Sequence, residues 1–144
     1  MKIRKVKFSD KEFIVKANLE IDKISGTTDE SFLDRNFEKD FVGKRPKCKC
    51  IVIEDEQKPI GFCIYSYVYW SNTGLGIYLS NAYILPEYRK KGALNKMLKY
   101  IKNKHNNVVF FTGMVGKGNK LMQNIMTKKY GAEDVNLITY SIRF

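Results

Sequence analysis

Residues Arg89-Lys90-Lys91-Gly92-Ala93-Leu94 place three cations and a glycine between an apolar stretch that stops at Pro86 and a run with helical spacing. A basic, glycine-containing turn at the head of a helix is an anion site. The first helical N–H groups have no partner inside the helix, and the macrodipole adds partial positive charge there. With Arg89, Lys90 and Lys91 in the turn, the expected ligand carries phosphates. Downstream, Asn119 opens a second helical run and Tyr130 closes it, ahead of Gly131. His105 is the single histidine; behind a lysine-rich helix end it reads as a solvated terminal residue rather than a base. Cys48-x-Cys50 is half of a metal-site pattern, but no second Cys or His pair follows. The pair therefore reads as two side chains on one strand face, with no metal expected.

The segment 79–94 resembles motif A of the GNAT superfamily of N-acyltransferases. That motif's turn reads Gln or Arg, two residues, Gly, one residue, then Gly or Ala. Arg89, Gly92 and Ala93 sit in the register, and the strand-Pro-x-Tyr-Arg lead-in is typical; Leu94, at the last small position, departs from it. The resemblance implies that the pyrophosphate of acetyl-CoA rests on the amides of this turn. It also implies that the main chain of Ala82, Tyr83 and Ile84 grips the pantetheine arm. A backbone N–H of that strand would polarise the thioester carbonyl. For Asn119 two readings stay open, a contact to CoA and a helix N-cap.

The catalytic groups fit the family pattern less well. Counting back from Gly131 puts Thr127 where many members have the tyrosine thought to protonate the departing thiolate. Tyr130 lies three residues on and could take that role only if the helix holds a local bulge; packing beside Gly131 is the other reading. The glutamate that several members carry before motif A corresponds to Tyr78 or Ser80, and no Asp or Glu occurs between Glu56 and Glu87. A lysine-like amine of pKa ~10.4 is about 0.1% neutral near pH 7.4, a cost of roughly 4 kcal/mol. Deprotonation would then run through water held by Ser80, Tyr78 or main-chain carbonyls, or the substrate has a lower pKa. In the family the N-terminal helical pair overhangs the acceptor. Here it carries Glu20, Asp22, Asp29, Glu30, Asp34, Glu38 and Asp40, either an acidic lip for cationic amines or a solvated face.

These residues need a sheet and helices to position them. Alternation predicts a first strand over 3–8. Ser9 and Glu12 read as a capping box for a helix to about 24, with Phe13, Ile14, Ala17, Ile21 and Ile24 on one face. Gly26 should end it, and Thr27 or Thr28 should cap a second helix to about 41. Strands are expected over 48–54, 60–70 and 75–85, with hairpin turns at 55–58 and 71–74. After Gly92 the apolar residues Leu94, Met97, Leu98 and Ile101 fall at helical spacing. A strand over 108–112, a loop with Gly113, Gly116 and Gly118, a helix over 119–130 and a last strand over 137–144 complete the order. The expected fold is a single α/β domain over 1–144. Its sheet would be mixed and mostly antiparallel, with about six to seven strands and about four flanking helices.

Size and composition agree. The 144 residues suffice for one domain with its own core, and 44% are hydrophobic. No apolar run of 18 residues is present and residues 1–7 alternate, so neither a membrane span nor a signal peptide is expected. An odd set of cysteines in apolar runs points to a reducing, cytoplasmic setting. Of the net charge of +11, residues 58–144 hold +10, from 13 Lys/Arg against 3 Asp/Glu. CoA, with roughly four negative charges, would use part of that field. A Lys-rich compositional bias explains the same numbers, and a nucleic-acid partner is a third reading. Taken together, the expected activity is transfer of acetyl from acetyl-CoA to a primary amine, such as a polyamine or protein lysine. Two other readings remain open: a non-catalytic CoA-fold module, and an acyltransferase directed at tRNA or DNA.

Overall fold

The computed structural model describes residues 1–25 and 31–135. Five strands form one sheet in sequence order: β1 (Lys2–Lys5), β2 (Lys49–Asp55), β3 (Lys58–Trp70), β4 (Gly74–Ile84) and β5 (Phe110–Gly113). The first three pairings are antiparallel, and only β4 with β5 is parallel. The helices are α1 (Lys11–Ser25), α2 (Ser31–Phe37), α3 (Ala93–Lys104) and α4 (Lys120–Asn124). A π-helical turn follows α2 at Glu38–Val42, and another follows α4 at Ile125–Lys129. The expected mixed, mostly antiparallel α/β architecture is present, with five strands among the described residues rather than six or seven. The expected strand over 137–144, Gly26 as a helix stop, and the caps Thr27 and Thr28 lie outside the described residues. No described helix is long and apolar enough to cross a membrane.

Two buried clusters lie on the two faces of the sheet. On one face Ala93, Met97 and Ile101 of α3 pack on Ile51, Ile53, Cys63, Tyr65 and Ile77. On the other, Ile14 and Ala17 of α1 and Phe37 of α2 pack on Cys50, Val52, Phe62, Ile64 and Tyr83. Because both faces are covered, β2 and the first half of β3 are buried almost without alternation. Cys50 and Cys63 are free thiols in opposite clusters, and Cys48 packs partly beside Cys50. Their common cause of raised pKa is burial. The hairpin loop Glu56-Gln57 has both φ values positive, as a two-residue turn between right-twisted strands requires.

The N-terminal expectations need correction. β1 ends at Lys5, and Phe8–Asp10 is a short 3₁₀ turn that leaves Phe8 54% exposed. The Ser9–Glu12 capping box gives way to Asp10, which accepts the Lys7 N–H at 2.7 Å and a bidentate pair from Arg4 at 2.7 and 2.8 Å. Arg4 also donates to Glu54 on β2 at 2.6 Å. Burial pushes the Asp10 carboxyl up, but the Arg4 and Lys7 hydrogen bonds outweigh it and hold the pKa below the usual value. The Arg4–Asp10 ion pair, with Arg4 held in turn by Glu54 on β2, thus overrides a local capping preference. Ile24, expected on the core face of α1, is 56% exposed at the helix end.

Candidate functional site

The basic turn forms as the sequence predicts. Pro86–Tyr88 make one 3₁₀ turn after β4, Arg89 is extended, Lys90 has φ 61° and Gly92 has φ 81°. Two left-handed residues within three positions give the chain the tight curl that lets successive N–H groups bind an anion. At Gly92 only glycine holds this φ without strain, and a Cβ built there would meet nothing within 4 Å. The first helical bond of α3 runs from Lys96 N–H to Gly92 C=O at 3.0 Å. The amides of Ala93, Leu94 and Asn95 therefore have no intrahelical partner. Gly92, as N-cap, supplies no side-chain cap either. Arg89, Lys90 and Lys91 are exposed around this turn. Arg89 Nε donates to Ile84 C=O at 3.0 Å, which ties the turn to the end of β4.

A gap opens beside that strand. β4 and β5 pair only from Gly76 opposite Phe110 to Leu79 opposite Gly113. A side chain at Gly113 would come within 2.8 Å of Leu79 C=O, so the parting point itself needs glycine. Beyond it, residues 81–84 of β4 remain paired with β3 alone. The register there jumps from Tyr65 opposite Leu79 to Ile64 opposite Asn81, which makes Ser80 the extra residue of a β-bulge. The bulge reverses the alternation. Ile77 and Leu79 face α3 before it, whereas Asn81 and Tyr83 face α1 after it. Tyr83 C=O points at Gly61 on β3, and Ile84 C=O points to Arg89 on the open side. With a period of two, Ala82 turns its main-chain groups to the open side as well.

The gap is a groove of about 110 Å³ lined by Ser80, Asn81, Ala82, Leu94, Asn119 and Met126, among others. Ser80 is exposed on it. Leu94 is partly buried, packs on the α3-side core and also lines the groove, so it is core and groove wall at once. Asn119 takes the N-cap reading. Its side chain accepts the Met122 N–H at 3.1 Å as an N-cap, and the residue borders the groove. Tyr78 sits in the fully paired part of β4, opposite Ser66 and Thr112, away from the groove lining. Burial raises its pKa.

The second helix of the site resolves its one-residue excess by the π turn at Ile125–Lys129. Thr127 spends its hydroxyl on Gln123 C=O at 3.0 Å. Tyr130, one turn beyond Met126, has a buried hydroxyl with no hydrogen-bond partner among the described residues. Burial raises its pKa, so the phenol stays protonated at neutral pH. The residue borders no part of the groove lining.

Sequence reading misplaced His105 and missed two α1 residues that reach β4. His105 is 8% exposed, not solvated. Its ring nitrogens lie 3.2 Å from Tyr65 Oη and 2.7 Å from Tyr67 Oη. Burial, then Lys49 and Lys104, lower its pKa. It closes the end of α3 opposite the basic turn, some 18 Å away by helical rise. On the other sheet face, Tyr83 Oη donates to Glu20 at 2.5 Å, and burial leads the causes that push its pKa up to about 12. Asn81 Nδ2 donates to Asn18 Oδ1 at 2.7 Å, and Asn18 Nδ2 donates to Asp22 at 2.9 Å. Nothing local signals these contacts, which span 63 residues.

Comparison with known proteins agrees with this geometry. The model of the acetyltransferase (GNAT) family matches residues 15–131. A thialysine N-epsilon-acetyltransferase of Sus scrofa is 33% identical over 70 residues, and the match covers 43% of this chain and 41% of that protein. The chain thus matches less than half the length of that relative. A crystal structure described as a possible acetyltransferase from Clostridium difficile 630 has a TM-score of 0.77 at 23% identity, covering 99% of this chain and 97% of the other. The aminoglycoside N-acetyltransferase AAC(6')-Iy in complex with CoA has a TM-score of 0.75 at 13% identity, covering 99% and 95%. At these identities the two structures share the fold.

Proposed function

The chain belongs to the GNAT acetyltransferase family, and we propose that it transfers an acetyl group from acetyl-CoA to a primary amine by direct attack in a ternary complex. The observation that carries the reading is the continuous path from the turn at Arg89–Leu94 into the gap beside residues 80–84. The turn suits a pyrophosphate and the open main chain of Ala82 and Ile84 suits an amide-containing arm. A solved relative in fold was crystallised with CoA, and the curated relative is named for acetylating an amine.

In the proposed step the amine nitrogen attacks the thioester carbonyl carbon. The C–N bond forms, the C–S bond breaks, the sulfur leaves as the thiolate, and the nitrogen gives up one N–H proton as the amide forms, which balances the proton the thiolate takes up. The amine must first lose its ammonium proton, and none of the described groove-lining residues is acidic. Water beside the exposed Ser80 hydroxyl takes that proton. A main-chain N–H near the bulge stabilises the carbonyl oxygen as charge develops on it. Tyr130, with a protonated, desolvated hydroxyl that no described residue bonds, is the candidate acid for the thiolate although it stands beyond the groove lining, and water is the other donor.

The test is release of free CoA from acetyl-CoA in the presence of lysine, spermidine, an aminoglycoside and a lysine-containing peptide, with amide formation confirmed by mass spectrometry. Turnover with at least one amine supports the reading. Tight acetyl-CoA binding without turnover on any of them overturns it in favour of a non-catalytic module.

A further inference from the structure

We propose that the carbonyl oxygen of Asn81 is the group that receives and orients the acceptor amine, held in that sense by Asn18 and Asp22. The proposal rests on the amine-acetyltransferase reading above and names a part of the site which that reading leaves open.

The argument starts from the direction of the hydrogen bonds. A carboxylate oxygen only accepts, so Asp22 requires the NH₂ of Asn18. That fixes the Asn18 carbonyl towards Asn81, which must in turn present its own NH₂. The two amides are therefore read in one orientation from a single charged end, and Asn81 keeps its carbonyl oxygen and one N–H without a bond among the described residues. Asn81 follows the bulge residue Ser80 directly, and both line the groove. Ile21 of α1 lines it too, so the helix that carries Asn18 and Asp22 also walls the same space. Glu20, bonded to Tyr83, clamps α1 to the next residue on that face of β4.

A neutral primary amine has two N–H donors and one lone pair. If one N–H is given to the Asn81 carbonyl, the lone pair is directed away from that oxygen and into the groove. An amide carbonyl is far too weak a base to take the ammonium proton, so Asn81 orients and does not deprotonate. The predicted substrate is an aliphatic amine with at least two N–H bonds once neutral, favoured by the carboxylates Glu20 and Asp22 behind the amide pair.

The experiment compares Asn81→Leu, Asn18→Leu and Asp22→Asn with the parent. It uses calorimetry with acetyl-CoA alone and steady-state kinetics with the best amine of the panel. Asn81→Leu should bind acetyl-CoA within about twofold of the parent, which also shows that it folds. Its kcat/KM for the amine should fall roughly ten- to hundredfold, the span of one lost hydrogen bond. Asn18→Leu and Asp22→Asn should fall several-fold through the amine KM, with the pH profile unmoved in all variants. An unchanged kcat/KM for Asn81→Leu overturns the proposal, and so does a displaced pH profile, which would make this group part of proton removal. If the parent binds acetyl-CoA but acetylates no amine, the underlying reading falls first and this one with it.

Discussion

At residues 89–95 the proposed ligand surface is main chain: two positive φ values, a glycine with open space around it, and three helix amides without intrahelical partners. Around Ser80 it is side chain, and what positions it comes from afar: Asn81 is held by Asn18, and that strand face is tied to α1 by Tyr83 on Glu20. A main-chain site has to be written locally, because only a few residue types permit its dihedrals and the helix must begin at a set point. A side-chain site has no such obligation. Its members need only converge in space, so the same chemistry leaves little trace in any one stretch of sequence.

The largest effect should come from breaking the main-chain end. Gly92→Asp adds a carboxylate beside the phosphates at a φ of 81°, where a Cβ is strained. Acetyl-CoA affinity should fall ~100-fold or more, about 2.7 kcal/mol, by calorimetry. Affinity equal to the parent's would remove the turn from the site.

Next is the side-chain end. Tyr130→Phe should lower kcat by about 10²-fold while acetyl-CoA affinity stays put. Removing a buried hydroxyl that has no partner should also raise unfolding stability by about 1 kcal/mol. Loss of stability would mean that the hydroxyl is bonded; an unchanged kcat would leave water as the proton donor.

Leu94 joins the two ends. As a partly buried residue on both core and groove, its change to Ala should cost on the order of 2 kcal/mol in stability. A midpoint of denaturation that does not move would place its side chain in solvent.

The smallest effect lies outside the groove. Burial disfavours the imidazolium of His105, so its folded pKa lies below the ordinary 6.5. On acidification the unfolded chain takes up this proton first. The stabilisation is therefore complete above about pH 6.5 and is lost as pH falls through that value towards the folded pKa. His105→Phe should flatten this part of the stability profile between pH 5 and pH 7.5, measured by thermal unfolding. A parent profile flat over the same window would contradict the buried, neutral ring.

This contrast explains what was legible. The strand–Pro–turn–helix unit, the two hairpins and the face of α3 follow from residues close in sequence, and they form as read. The capping box failed because Arg4, 6 residues before Asp10 and itself held by Glu54 on β2, ties Asp10 into the turn instead. His105 looked solvated because its neighbours in sequence are lysines; the tyrosines that cover it are 38 and 40 residues distant on β3. The parting of β4 from β5 is not written in any residue pattern. It depends on where pairing stops, and Gly113 against Leu79 C=O shows its physical cause. The additional residue before Gly131 was visible in the sequence, but only coordinates reveal that a π turn absorbs it.

The central claim is that acetyl-CoA lies along the turn and the parted strand. Hydrogen exchange with and without acetyl-CoA reads both at once. The account predicts slowed exchange at the amides of residues 90–95 and at Ala82 and Ile84, with Lys2–Lys5 and Lys49–Asp55 unaffected. Exchange unchanged at residues 90–95 and at Ala82 and Ile84 under saturating acetyl-CoA would contradict it.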